Sequence, residues 1–183
     1  TTLLMLQQQL ARGYYQLLLL LPDDGSLENN QLDFEVSIGP LTQEVVITEL
    51  LPAPEDPLEC EWLECRNLSE RTISLYGWAV GDSLRQSEFE IGTSVSPDEY
   101  FIMTQDSACF REFYQIECAV LQPAGWSNLN NDGDRIMLLD DFGVISDSLS
   151  YAEPPADNQS LELNETVFAS DGSRHWYVST SEN

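Results

Sequence analysis

Along the first twenty-one residues, apolar side chains recur at three- and four-residue intervals at Leu3, Leu6, Leu10, Tyr14, Leu17 and Leu21. That period predicts an amphipathic helix over 3–21, relieved by Gln7, Gln8, Gln9, Arg12 and Gln16 and ended by Pro22 in PDDGS. After a polar linker the period changes to two. Leu32, Phe34, Val36 and Ile38 alternate in LDFEVSIG, the pattern of a strand with one apolar side. From Glu44 onward, short runs succeed one another: EVVITELL, EWLECRN, TISLYGWAV, SEFEI, EYFIMT, IECAVL, DRIMLLD and GVISDSLSY. The turn clusters PAPEDP, NLSE, SPDE, NLNNDGD and DDFG separate them. Strands this short and this regularly spaced predict a mainly β chain, a sandwich or barrel of antiparallel strands behind one N-terminal helix. The expected division is a helix, linker and strand over 1–43 and a β-domain over 44–183.

Composition narrows the partners. The chain has 183 residues, 42% of them hydrophobic, enough for one domain with a core and an appendage. Thirty-two acidic residues face seven basic ones, all arginine, for a net charge of -25. Such a field repels phosphate backbones and anionic lipid, so nucleic acid is not an expected partner; cations and basic proteins are attracted. An acidic surface without lysine also suits a salty medium, where screening relieves self-repulsion.

The predicted helix is too interrupted by polar residues for a free transmembrane span, and no basic segment with a cleavage site precedes it. The chain starts at Thr1. It reads as a processed product whose more apolar beginning is missing, so a membrane would be reached only through that missing anchor or through a partner.

Four cysteines stand at Cys60, Cys65, Cys109 and Cys118, and three pairings are open to them. With 61–65 extended, Cys60 and Cys65 would lie about 16 Å apart, too far for a bridge without a bend. Cys109 and Cys118 bracket a short loop that closes easily. Neither a CxxC motif nor a Cys/His set at zinc spacing occurs. Three sequons, at Asn67, Asn158 and Asn164, would matter only on a glycosylating secretory route.

Read together and in order, VVITELLP, EWLECRNLSERTISLYGWAVGD, SVSPDEYFIMTQD, NLNNDGDRIMLLDDFGVISDSLSY, QSLELN and HWYVST resemble the lamin tail domain over about residues 44–180. The resemblance implies an immunoglobulin-like β-sandwich of the kind found in nuclear lamins and in secreted or surface-attached microbial proteins. It makes Trp62, Gly77, Trp78 and Trp176 structural, with Leu63 and Cys65 inward and Trp62 and Glu64 on the other face of their strand. Ile136 and Leu138 share one face of theirs, Met137 and Leu139 the other. The chromatin and DNA association of lamin tails does not carry over to so acidic a chain. The cysteines are additions to the family pattern.

Few residues offer chemistry. Asp147 shares strand parity with Ile145, Leu149 and Tyr151, which turns it towards the core unless a bulge intervenes, and there a carboxylate needs donors. NLNNDGD fits the early positions of a calcium loop, but the closing glutamate position falls on Leu139, so a turn is expected. Weak divalent-cation binding there, with Asp140, Asp141 and Asp147 nearby, is left open; no cofactor is expected. His175, the one histidine, has no nucleophile elbow to serve. The aromatic candidates for a partner are Tyr14 and Tyr15 on the helix and Phe110, Phe113 and Tyr114 in CFREFYQIEC, a loop that could also fold back on the sandwich.

The expected function is therefore non-enzymatic, in an extracellular or cell-surface setting. The chain would be an adhesion or assembly module, one version being a minor-pilin-like subunit of a surface filament. Its helix would pack Leu3, Leu6, Leu10, Tyr14 and Leu17 on protein partners, including copies of itself. The alternative is an accessory substrate-binding domain of a secreted hydrolase or nuclease.

Overall fold

The structure, a computed structural model, describes residues 13–21, 30–38, 43–54, 60–89, 92–130, 133–152, 156, 158–168 and 174–179. It divides into two compact units, Thr1–Leu41 and Thr42–Asn183.

In the first unit, the part of the expected helix that lies within the described residues is a strand. β1 (Gly13–Leu20) pairs antiparallel with β2 (Gln31–Ile38), in the register Tyr15 to Val36, Leu17 to Phe34 and Leu19 to Leu32. A run such as YYQLLLL satisfies either period, and the alternating partner strand decides the matter: Leu32, Phe34 and Val36 of β2 meet Leu19, Leu17 and Tyr15 of β1 on one face. Gly13 and the paired tyrosines also favour extended backbone over helix. The Tyr14 side chain lies outside the described residues. Leu3, Leu6 and Leu10 lie outside the described residues.

The second unit begins with β3 (Val45–Leu51) and β4 (Trp62–Asn67), followed by β5 (Ile73–Ser74), β6 (Ala79–Gly81) and β7 (Gln86–Glu88). β8 (Ser94–Val95) and β9 (Tyr100–Thr104) lead to the helix α1 (Ser107–Phe113), and β10 (Ala119–Leu121) follows. β11 (Asp134–Leu139), β12 (Ile145–Tyr151), β13 (Leu161–Phe168) and β14 (Arg174–Val178) complete the described elements. A six-stranded sheet runs β10-β9-β4-β3-β13-β14, a four-stranded one β12-β11-β6-β7, and β5 pairs with β8.

Between the sheets lie Val45, Ile47, Leu50, Leu63, Cys65, Phe101 and Met103 from the larger one. Val80, Ile136, Leu138 and Leu149 come from the smaller, and Leu75 and Trp78 join them from the turn. Trp62 points the other way, into a second cluster with Leu51, Ile102 and Phe110, while Met137 and Leu139 meet Ala79 on the outside of the small sheet. Both arrangements follow from the two-residue period of a strand.

Two features depart from a purely antiparallel reading. β10 runs parallel to β9, Ala119 beside Phe101 and Leu121 beside Met103, because α1 carries the chain back across the sheet to start again in the same direction. The helix starts at Asp106, whose carboxylate accepts from the amides of Ala108 and Cys109 at 2.9 and 3.1 Å.

Turn geometry accounts for two polar-looking positions. Gly77 has φ +76°, a left-handed conformation that a Cβ would strain, and it closes on Asp141. Asn67 is fully buried. Its Nδ2 donates to the carbonyls of Arg71, Val95 and Ser96, and its Oδ1 accepts from the amide and hydroxyl of Ser69. The sequon at Asn67 is thus a turn-tying amide, committed in the folded chain and closed to a glycan.

Candidate functional site

Asp147 occupies the seam between the sheets. Its parity pointed inward, and a bulge sharpens the outcome: the pairing of β11 with β12 shifts between Leu138, opposite Asp147, and Leu139, opposite Ile145. Ser146 and Asp147 are therefore both buried, while Ile145, expected on the core side, is turned out. The first half of β3 has no β13 partner, since β13 pairs only with Glu49 and Leu50, and the bulged end of β12 fills the gap. Gln43 N–H donates to the Ser146 carbonyl at 2.8 Å, Ser146 Oγ to the Val45 carbonyl at 3.0 Å, and Ile47 N–H to Asp147 Oδ2 at 2.8 Å. Arg174 on β14 completes the set at 2.6 Å. Burial raises the Asp147 carboxyl above the ordinary range, against the opposing pull of Arg174 and the Ile47 amide. Every interaction of this carboxylate holds backbone or an arginine, the work of a sheet clasp.

Glu61, which leads into β4, is a second inward carboxylate. It accepts from the Trp126 indole at 2.6 Å and the Leu129 amide at 2.9 Å, which fastens the 122–130 segment over the end of the core. Burial is again the largest influence and raises its pKa. A groove of about 320 Å³ lies nearby, lined by Phe89, Thr93, Ser107, Val120, Leu121, Gln122 and Ala124, without a titratable side chain among them.

The aromatic segment is a clamp. Phe110 is buried and meets Trp62 edge-on at 6.1 Å; Tyr114 stacks on Phe110 at 4.6 Å and meets Trp62 at 5.9 Å. Phe113 remains exposed on the far side of α1. Of the three residues read as a partner-binding group, two cover the sheet and one faces solvent. All four cysteines are thiols. Cys65 is enclosed in the core, while Cys60 approaches Cys109 on α1, so neither of the sequence-local pairs is the one brought together.

Within the NLNNDGD stretch, the described residues form a turn: Asp134 Oδ2 accepts from both the amide and side chain of Asn130, and Gly133 adopts φ +115°. Among the described residues, no group of three or more His, Cys, Asp or Glu side chains could hold a metal ion. His175 is exposed on β14, and Trp176 packs against the main core.

A family model for the lamin tail domain matches residues 40–153, more than half of the chain. The chain belongs to the lamin tail domain family. The match begins just before β3 and ends just after β12, so it spans Asp147 and its β3 partners, the Glu61 anchor and the clamp but not Arg174; the likeness read from the sequence extended further, to about 180. The search of curated proteins matches none. Lamin tail domains are immunoglobulin-like and non-catalytic, in keeping with inward carboxylates that serve as fasteners. Sequence reasoning missed Arg174, Glu61 and Trp126 as partners in this lamin-tail sandwich. No local signal joins Glu61 to a tryptophan 65 positions on.

Proposed function

We propose that this chain is a non-enzymatic, exported assembly module, in which the β1–β2 hairpin packs on the hairpin of a second copy and the lamin-tail sandwich is displayed. The register of the hairpin carries the reading. Tyr15, Leu17 and Leu19 on β1 and Val36, Phe34 and Leu32 on β2 share one face, with Leu32 and Phe34 exposed at 56% and 43%. The opposite face holds Gln16, Leu18 and Leu20 against Glu35, Asp33 and Gln31. An isolated two-stranded sheet is marginal in water and gains most from covering its apolar face. A second copy offers the same flat apolar face, so two hairpins close into a two-layer sandwich about 10 Å thick. The hairpin takes the place of the helix as the assembly element in this reading. Export is supported by the lysine-free acidic surface, whose self-repulsion a salty medium screens.

The test is sedimentation of the full chain and its Leu19→Asp/Phe34→Asp variant at low and high salt. The wild type is expected to form dimers or larger species, more strongly at high salt because screening offsets the -25 charge, and the variant to stay monomeric with an unchanged far-ultraviolet spectrum. A wild type that is monomeric at both salts, or a variant that assembles equally, overturns the reading.

A further inference from the structure

The clamp of α1 on the large sheet brings together two sulfurs 49 positions apart in the sequence. Trp62 opens β4 and Phe110 sits on α1, and their rings meet at 6.1 Å; Cys60 lies two residues before the first and Cys109 one residue before the second. The Cys60 and Cys109 thiols are in hydrogen-bonding contact. Of the other two thiols, Cys65 belongs to the main core and Cys118 packs on the same Trp62–Phe110 cluster from its half-buried edge. Cys65 points between the sheets, where its neighbours are Asp147 and Glu64, and Cys118 has Glu64 and Arg111 beside it. We propose that Cys60 and Cys109 are an oxidisable pair that closes to a disulfide, locking α1 to the start of β4, with Cys65 and Cys118 remaining thiols.

The accessible sulfur is Cys109, half-exposed on the helix, and the enclosed one is Cys60. A small disulfide, RSSR, of the glutathione type is the oxidant. The Cys109 thiolate attacks one sulfur of RSSR, the S–S bond breaks, and RS⁻ leaves with a mixed disulfide on Cys109. Cys60 then loses its proton to solvent and attacks Cys109 Sγ, which expels the second RS⁻. Two protein thiols have given two electrons and two protons, and RSSR has become two RSH. Burial and the neighbouring Cys109 push the Cys60 thiol up to about 12, so the second step is the slow one and the mixed disulfide on Cys109 accumulates first. The bridge closes a loop that contains β4 to β9, and constraining so long a loop in the unfolded chain raises Tm by roughly 5–15 °C.

The full chain is equilibrated with oxidised and reduced glutathione, alkylated under denaturing conditions, and digested with trypsin and a glutamyl endopeptidase. Cleavage after Glu61 separates Cys60 from Cys65, and cleavage after Arg111 separates Cys109 from Cys118. Expected are a transient glutathione adduct on Cys109, then a linked peptide pair holding Cys60 and Cys109, with Cys65 and Cys118 alkylated and Tm raised. Cys118→Ser should oxidise and gain Tm as the wild type does, whereas Cys109→Ser, an exposed-side change that leaves the core intact, should gain nothing. A Cys109–Cys118 link, or four alkylated cysteines at the oxidising limit, overturns the proposal.

Discussion

Asp147 Oδ2 lies 2.6 Å from Arg174 Nη1, and the same oxygen accepts the Ile47 amide at 2.8 Å, so one atom ties β12 to both β14 and β3. Removing the carboxylate leaves a buried amide without its acceptor and an arginine, 18% exposed in its side chain, without its counter-charge. Asp147→Ala should cost about 2–4 kcal/mol. Asp147→Asn, which keeps an acceptor oxygen but loses the charge, should cost about half as much. Urea denaturation with an unchanged m-value checks both; equal losses in the two variants would show that the charge carries the whole clasp and the acceptor oxygen alone contributes nothing, whereas a neutral Asp147→Asn would show that the charge contributes nothing.

Stability should fall as pH rises. Burial is the foremost influence on Glu49, Glu61 and Asp147, and it raises each pKa above the ordinary carboxylate range of about 4. A carboxyl that holds its proton more tightly folded than unfolded contributes stability in full below the unfolded pKa. That contribution is lost as pH climbs through the folded one. Repulsion within the -25 charge grows over the same window. Thermal melts at constant ionic strength should therefore give a higher Tm near pH 5 than near pH 8, with the gap narrowing in high salt. A Tm that climbs across that interval would mean that Arg174 and the amide donors outweigh burial.

Asn67→Asp tests the turn that ties β4 to the 69–71 and 95–96 segments. A carboxylate there would put negative oxygen against the carbonyls of Arg71, Val95 and Ser96, which now receive hydrogen bonds from Nδ2. The expected loss is about 2–4 kcal/mol, the upper part of the range for a buried donor exchanged for an acceptor. Asn67→Ser, small and neutral, should fall between. Chemical denaturation of the two variants measures the order, and a neutral Asn67→Asp would contradict the bonding described here.

Much of the sandwich was legible because alternation is a strong signal wherever one face is buried. EVVITELL, EWLECRN, EYFIMT and DRIMLLD each contain a strand with inward and outward residues on alternate sides. The segment at the front of the chain was not, since apolar residues spaced 3, 4, 4, 3 and 4 apart within a leucine-rich run fit a helix face, while the run itself also suits a strand. Only the pairing with LDFEVSI separates the two. α1 has a local sign in Asp106 ahead of SACFREF, an N-cap before an apolar turn, which the reading of this segment as a loop did not use.

By itself the sequence determined the two-residue period of the main sandwich strands, the shared faces of Leu63 with Cys65 and of Ile136 with Leu138, the excess of negative charge, and the family to which these blocks belong. Only the tertiary structure decided what the buried polar groups hold: Arg174 for Asp147, Trp126 for Glu61, and Cys109 rather than Cys65 or Cys118 beside Cys60. The reason is physical. A side chain's facing is set by local backbone geometry, whereas its partner is set by which distant strand lies across the seam, and a single-residue bulge in β12 is enough to change that.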